Sequence, residues 1–272
     1  MNRSTTRPTI LVLALTAVVL GAQRDLHAAR LRPEALSGWA RYVAAVEQRR
    51  ARDARAHFFV MDTGPDAGAE RRALRRGELV VREMDAVDPQ GRGIDVDGAV
   101  VHHWRGAVFL PGATVSGLVQ NLATTAPPPG REILRSAVLD RGPSFIKVFL
   151  RLQRTKIVTV VLDTEHDVRF RQESPTRASS VSVATRIVEV ESPGTPNERL
   201  RPVGDDRGFL WRLNAYWRYE AVPGGVIAEC ESISLSRGVP FGLQTIAGPL
   251  IGSAARESME RALGELGDRG KS

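Results

Sequence analysis

The 272-residue chain holds a single cysteine, Cys230. That excludes an intramolecular disulfide framework and any Cys-x-x-Cys redox or zinc motif. A chain of this size buries roughly 70–75% of its unfolded surface, so it needs no covalent staple. Cys230 sits in an apolar alternating stretch and reads as a small buried hydrophobe, not a reactive thiol. Lysine is nearly as scarce. Lys147, Lys156 and Lys271 are the only ones, and arginine carries the rest of the positive charge. There is no His-Glu-x-x-His pair, no phosphate-binding glycine loop and no Gly-x-Ser-x-Gly elbow. No motif therefore assigns a chemistry, although scattered residues can still assemble an active site. No cofactor and no metal site is expected.

The N-terminus departs from the rest. Arg3 and Arg7 precede "ILVLALTAVVL" at 10–20, with no acidic residue among them. This run is shorter than the ~18–20 residues of a membrane helix. Small residues follow at Gly21, Ala22, Ala28 and Ala29. A basic segment, a short apolar core and a small-residue exit describe a secretory signal peptide over 1–28. Cleavage is expected within 21–29, and no cysteine there offers a lipoprotein anchor. The mature chain is then periplasmic or extracellular.

The formal charge of +7 falls to +5 once residues 1–22 are removed, since only Arg3 and Arg7 go with them. Basic charge suits nucleic acid or anionic lipid. Export argues against nucleic acid. The densest cluster, "RRALRRGE" at 71–78, reads as a solvated helix face, with loose attraction to an anionic membrane surface as the functional alternative.

Residues 29–97 read as an extension. Pro33 suits the first turn of a helix whose stripe is Leu36, Trp39, Val43 and Val46, with Arg49, Arg50, Arg52 and Arg55 at its far end. "HFFVMD" and "GELVVREMDAV" are strand-like, separated by a charged stretch compatible with a helix. Next come a strand in "AVVHHWRGAVFLPG", a helix in "ATVSGLVQNLATT" and a stop at "APPPG". From 131 to 237 the pattern is strand and short turn, which predicts an antiparallel meander. "GPLIGSAARESMERALGEL" predicts a final helix, with Gly248-Pro249 as a break at its start.

This order is α+β. Over residues 98–267 it resembles the START-like (SRPBCC, helix-grip) superfamily. The likeness rests on "WRGAVFLPGAT" leading into the first helix, and on the "GFLWRLNAYWRYE" to "CESISLSRGVPFGL" hairpin leading to the last. It implies a curved antiparallel sheet wrapped around a long C-terminal helix, with an apolar cavity between them. Residues 268–272 are a tail. The chain departs from the pattern at "APPPG", which stands where many members have a second short helix. The resemblance carries over no catalytic residue. It implies carriage of a hydrophobic, lipid-like molecule, with a cyclase- or hydrolase-type enzyme, or an interaction protein with a filled core, as alternatives.

Alternation assigns the faces. In "GFLWRLNAYWRYE" the odd positions are mostly aromatic and the even ones mostly polar. A two-residue Gly224-Gly225 turn would set Trp217 opposite Ser232, Tyr219 opposite Cys230, and Arg218 opposite Glu231 as an external ion pair. The expected cavity lining is Trp211, Leu213, Trp217 and Tyr219. Val160, Leu162, Val183 and Ile187 join them from other strands, and Leu250, Ile251 and Met259 close it from the helix. Large residues facing small ones leave either a solid interdigitated core or a space walled by aromatics. His102 and His103 fall on opposite faces of one strand and cannot share a metal ion without a bulge. Asp163, Glu165 and Asp167 share a face opposite to His166 and read as a solvated row, with Arg177 or Arg186 as partners.

Overall fold

The computed structural model describes the backbone of residues 29–155, 159–203, 205–237 and 244–269, and every side chain within them except at 29–30, 205, 244–252 and 268–269. The signal peptide expected over 1–28 and the side chains of Leu250 and Ile251 lie outside the described residues, as does most of the 268–272 tail.

Nine strands form one sheet in the order β2 (Val80–Glu83), β3 (Ala99–Pro111), β11 (Gly225–Arg237), β10 (Arg212–Val222), β7 (Arg177–Glu191), β6 (Thr159–Ser174), β5 (Phe145–Thr155) and β4 (Ile133–Gly142), with β8 (Arg199–Leu200) beside β7. Every pairing in it is antiparallel. β1 (Ala29–Arg30) and β9 (Asp205–Asp206) make a separate two-stranded ribbon. The meander from β4 to β7 follows the short turns of the sequence.

The helices are α1 (Pro33–Asp53), α2 (Ala67–Arg75), α3 (Val115–Thr124) and α4 (Gln244–Arg269). Pro33 opens α1 as expected. Thr114 caps α3, its hydroxyl oxygen accepting from the Gly117 amide at 3.2 Å. α4 begins before Gly248-Pro249 and runs through both. The expected break at Gly248-Pro249 is absent. "HFFVMD" is not a strand. Met61–Thr63 form a single 3₁₀ turn, and Phe59 and Met61 insert into a cluster with Leu74, Ala107 and Ile227.

The sheet has an inner face towards α4 and α3 and an outer face towards the N-terminal segment. Met259, Leu263 and Leu266 of α4 pack on Val108, Leu110 and Tyr219, with α3 residues alongside. A Cβ on Gly106 would stand 2.5 Å from Leu263 Cδ1, so glycine lets the helix approach β3. On the outer face Trp39, Tyr42 and Val46 of α1 pack against Tyr216, Ile233 and Leu235.

The β10–β11 register differs from the expected one. The turn is Pro223-Gly224, with φ +87° at Gly224, and Val222 pairs with Gly225. Proline followed by a positive-φ glycine is type II turn chemistry. Gly225 belongs to the strand, where a Cβ would meet the Leu110 carbonyl oxygen at 2.1 Å. Trp217 therefore faces Cys230, Tyr219 faces Ala228 and Arg218 faces Glu229. The slip is two residues, so each side chain keeps its face.

Candidate functional site

The inner face carries the candidate site. In the middle of the sheet, register places Trp104, Ser232, Ala215 and Ser182 in one row across four strands. The neighbouring row runs through His102, Ser234 and Leu213. All seven are partly exposed. On the opposite face of the same strands His103, Arg105, Glu231, Ile233, Asn214 and Tyr216 are buried. The charged side of these strands is thus the sealed one, although charged positions on a strand ordinarily meet water.

Over β3, β11 and β10 the outer face is sealed because the N-terminal segment brings partners for its charges. Arg49 and Arg50 of α1 both bind Glu231, the latter at 2.5 Å. His103 Nε2 lies 2.7 Å from the same carboxylate, and the Tyr42 hydroxyl 3.0 Å from His103 Nδ1. Burial alone pushes the Glu231 carboxyl up, but the His103 hydrogen bond and the two guanidiniums outweigh it and hold it down at about 2. Glu229 accepts the backbone amides of Val60 and Met61 at 2.7 and 2.8 Å, and burial raises its carboxyl. Arg105 reaches Glu70 at 2.8 Å. Arg218 donates to the Phe58 carbonyl, and burial lowers its guanidinium to about 10. Arg218 is thus not on the outside as expected, and Asn214 on the same face is buried with it. The sequence pattern shows these positions as polar but gives no sign that residues more than 150 positions earlier cover them.

The expected lining residues divide. Trp217, Tyr219 and Met259 meet at one end of the inner face, the two rings stacked 6.1 Å apart. Leu213, Val160, Leu162 and Ile187 form a second inner cluster with Leu150 and Ala184. Two residues fall elsewhere. Trp211 precedes β10 and is buried on the outer side with Trp39 and Leu235, its indole N–H donating to Asp206 at 3.0 Å. Val183 is 37% exposed on the outer face, in register with Asn214. The cause is a bulge. Glu165 pairs with Arg186 and His166 with Ala184, leaving Thr185 as the extra residue. One added residue inverts the alternation, so Ile187 turns inward while Val183 turns out.

A cavity of about 200 Å³ lies beside this end of the sheet, lined by Leu31, Ile187, Val203, Asp206, Trp211 and Arg212. Cys230 is buried in the inner cluster, and burial raises its thiol. The acidic row of β6 is paired: Asp163 with Arg151 at 2.8 Å, Glu165 with Arg186 at 3.6 Å and Asp167 with Lys147 at 3.8 Å. Arg177 pairs with Glu220 instead. Among the described residues no group of three or more His, Cys, Asp or Glu side chains could hold a metal ion. No helix among them is long and apolar enough to cross a membrane. What this face offers is apolar contact with a few neutral hydrogen-bonding groups.

No family model matches the chain, and no curated protein matches it. Solved structures similar to it include a START superfamily protein from Mycobacterium smegmatis, 11% identical with a TM-score of 0.39, covering 64% of this chain and 97% of that one. A STAR-related lipid transfer protein from Xanthomonas axonopodis is 14% identical with a TM-score of 0.36, covering 65% and 98%. The Zhui aromatase/cyclase from Streptomyces sp. R1128 is 14% identical with a TM-score of 0.36, covering 63% and 94%. The likeness is to START-superfamily structures as folds, and the chemistry of the site has to be read from its own residues.

Proposed function

We propose that the protein binds and carries a hydrophobic, lipid-like molecule between the inner face of the sheet and α4, with the sheet curving around the helix. The observation that carries this reading is the reversed exposure of the central strands. Leu213, Ala215 and Trp217 stay partly open while Asn214, Tyr216 and Arg218 beside them are buried. A strand whose only task was to fill a core would seal its apolar row first, because each Å² of apolar surface left in water forfeits about 25 cal/mol. An apolar guest would recover that loss. We further propose that the chain is exported and meets its ligand outside the cytoplasm, since a basic segment and a short apolar run open the sequence. Arg72, Arg75 and Arg76 are exposed along and just beyond α2 and supply positive charge for loose contact with an anionic membrane.

Native mass spectrometry of the protein purified from its own host tests the reading. A co-purifying lipid released on denaturation supports it. No adduct, together with no thermal shift on adding lipid, overturns it. The same sample gives the mass of the mature N-terminus, which is expected to begin within residues 22–30.

A further inference from the structure

His166 is buried on the inner face of β6, opposite Val148 and Ala184. Its Nε2 lies 2.9 Å from Thr164 Oγ1, which in turn lies 3.2 Å from the Leu150 carbonyl oxygen. A hydroxyl has one proton. With that proton donated to Leu150, Thr164 accepts from Nε2–H, and Nδ1 is left with its lone pair. No partner for Nδ1 is found among the described residues. Burial holds His166 down at about 4, so the ring is neutral near neutral pH, and burial lowers His102 on the same face. Trp104 Nε1, also on this face, is a buried donor without a partner. The rows between them contribute serine hydroxyls and small apolar groups. Arg154, at the far end of β5, is paired with Glu132, which also holds Arg261 of α4.

We propose that the inner face selects an uncharged apolar alcohol over an ionised fatty acid, with His166 Nδ1 accepting the ligand hydroxyl proton and Trp104 Nε1 as a second seat for a ligand oxygen. This rests on the ligand-binding reading above. An alcohol O–H satisfies the histidine acceptor. A carboxylate has no proton to give it, brings a charge with no free cation on these rows, and loses its hydration on entry.

The experiment titrates the full chain with 1-dodecanol and with dodecanoate at about pH 8, by calorimetry and by intrinsic tryptophan emission. The expected result is at least roughly tenfold tighter binding of the alcohol. His166→Phe lowers alcohol affinity roughly three- to tenfold, the range for one neutral hydrogen bond. It leaves dodecanoate unchanged, and His166→Gln restores part of the loss. His166→Leu, which removes the same acceptor with a smaller side chain, substitutes for His166→Phe where circular dichroism shows that variant unfolded. Equal or tighter binding of dodecanoate, or an unchanged alcohol affinity in the folded variant, overturns the selectivity while leaving the ligand-binding reading in place. Absence of binding by both probes overturns the two together.

Discussion

The buried carboxylate of Glu231 makes stability depend on pH in a calculable direction. Its side chain is 0% exposed and is held by Arg49, Arg50 and His103. Folding depresses its pKa from an ordinary 4.5 to about 2. A depressed carboxylate contributes stability that is complete above its unfolded value and is lost as pH falls towards its folded value. The window is therefore about pH 4.5 down to about pH 2. At ~1.4 kcal/mol per pKa unit the contribution is about 3 kcal/mol. Glu231→Gln should cost about 3–5 kcal/mol near pH 7, since it leaves two guanidiniums without their shared partner. Urea unfolding of wild type and variant from about pH 7 to about pH 3 measures the gap. It should be largest above about pH 5 and close as pH falls. Glu229, whose pKa shifts the other way, is present in both proteins and cancels from the difference. Hydrogen exchange should show α1 losing protection before the β5–β7 meander, because Arg49 and Arg50 lie on α1. A gap that stays constant from about pH 7 to about pH 3 would refute the reasoning.

Three further outcomes follow from single contacts. Gly225→Ala should lose about 1–3 kcal/mol or more in urea unfolding, since the added Cβ meets the Leu110 carbonyl oxygen at 2.1 Å and backbone cannot step aside cheaply; wild-type stability would refute the observed register. Tyr42→Phe removes the hydroxyl that accepts from the Ala86 amide and contacts His103, both at 3.0 Å, and should cost about 1–3 kcal/mol; a neutral thermal shift would mean that water takes over both bonds. Trp211→Ala and Trp217→Arg should behave oppositely. The first should lose about 3–5 kcal/mol and keep ligand uptake, because Trp211 is core on the outer side. The second should lose uptake at a smaller cost in Tm, because Trp217 is only half-buried.

Much of the molecule follows from local pattern. Alternation from β3 to β11 sets which residues share a face, since side-chain direction on a strand is a matter of parity. Pro33 and the 3.6-residue stripes place α1 and α3. Parity also separates His102 from His103, and His166 from the acidic row, without any knowledge of neighbours. Where parity is broken, reading fails. Thr185 forms a bulge that no residue type announces, and Val183 leaves the inner face because of it. The Pro223-Gly224 turn moves the hairpin register by two, since Gly225 is needed for approach to β3 and not for turning.

What only the tertiary structure decides is the environment of each face. The sequence marks Glu229, Glu231, Arg105 and Arg218 as polar, and polar positions on a strand ordinarily meet water. Here α1 brings Arg49 and Arg50 to Glu231, the 58–61 segment brings backbone amides to Glu229 and a carbonyl to Arg218, and α2 brings Glu70 to Arg105, which offsets the burial of those charges. The apolar face is left partly open beneath α4. Parity assigns residues to two sides of a sheet, but which side is sealed depends on partners distant in the chain.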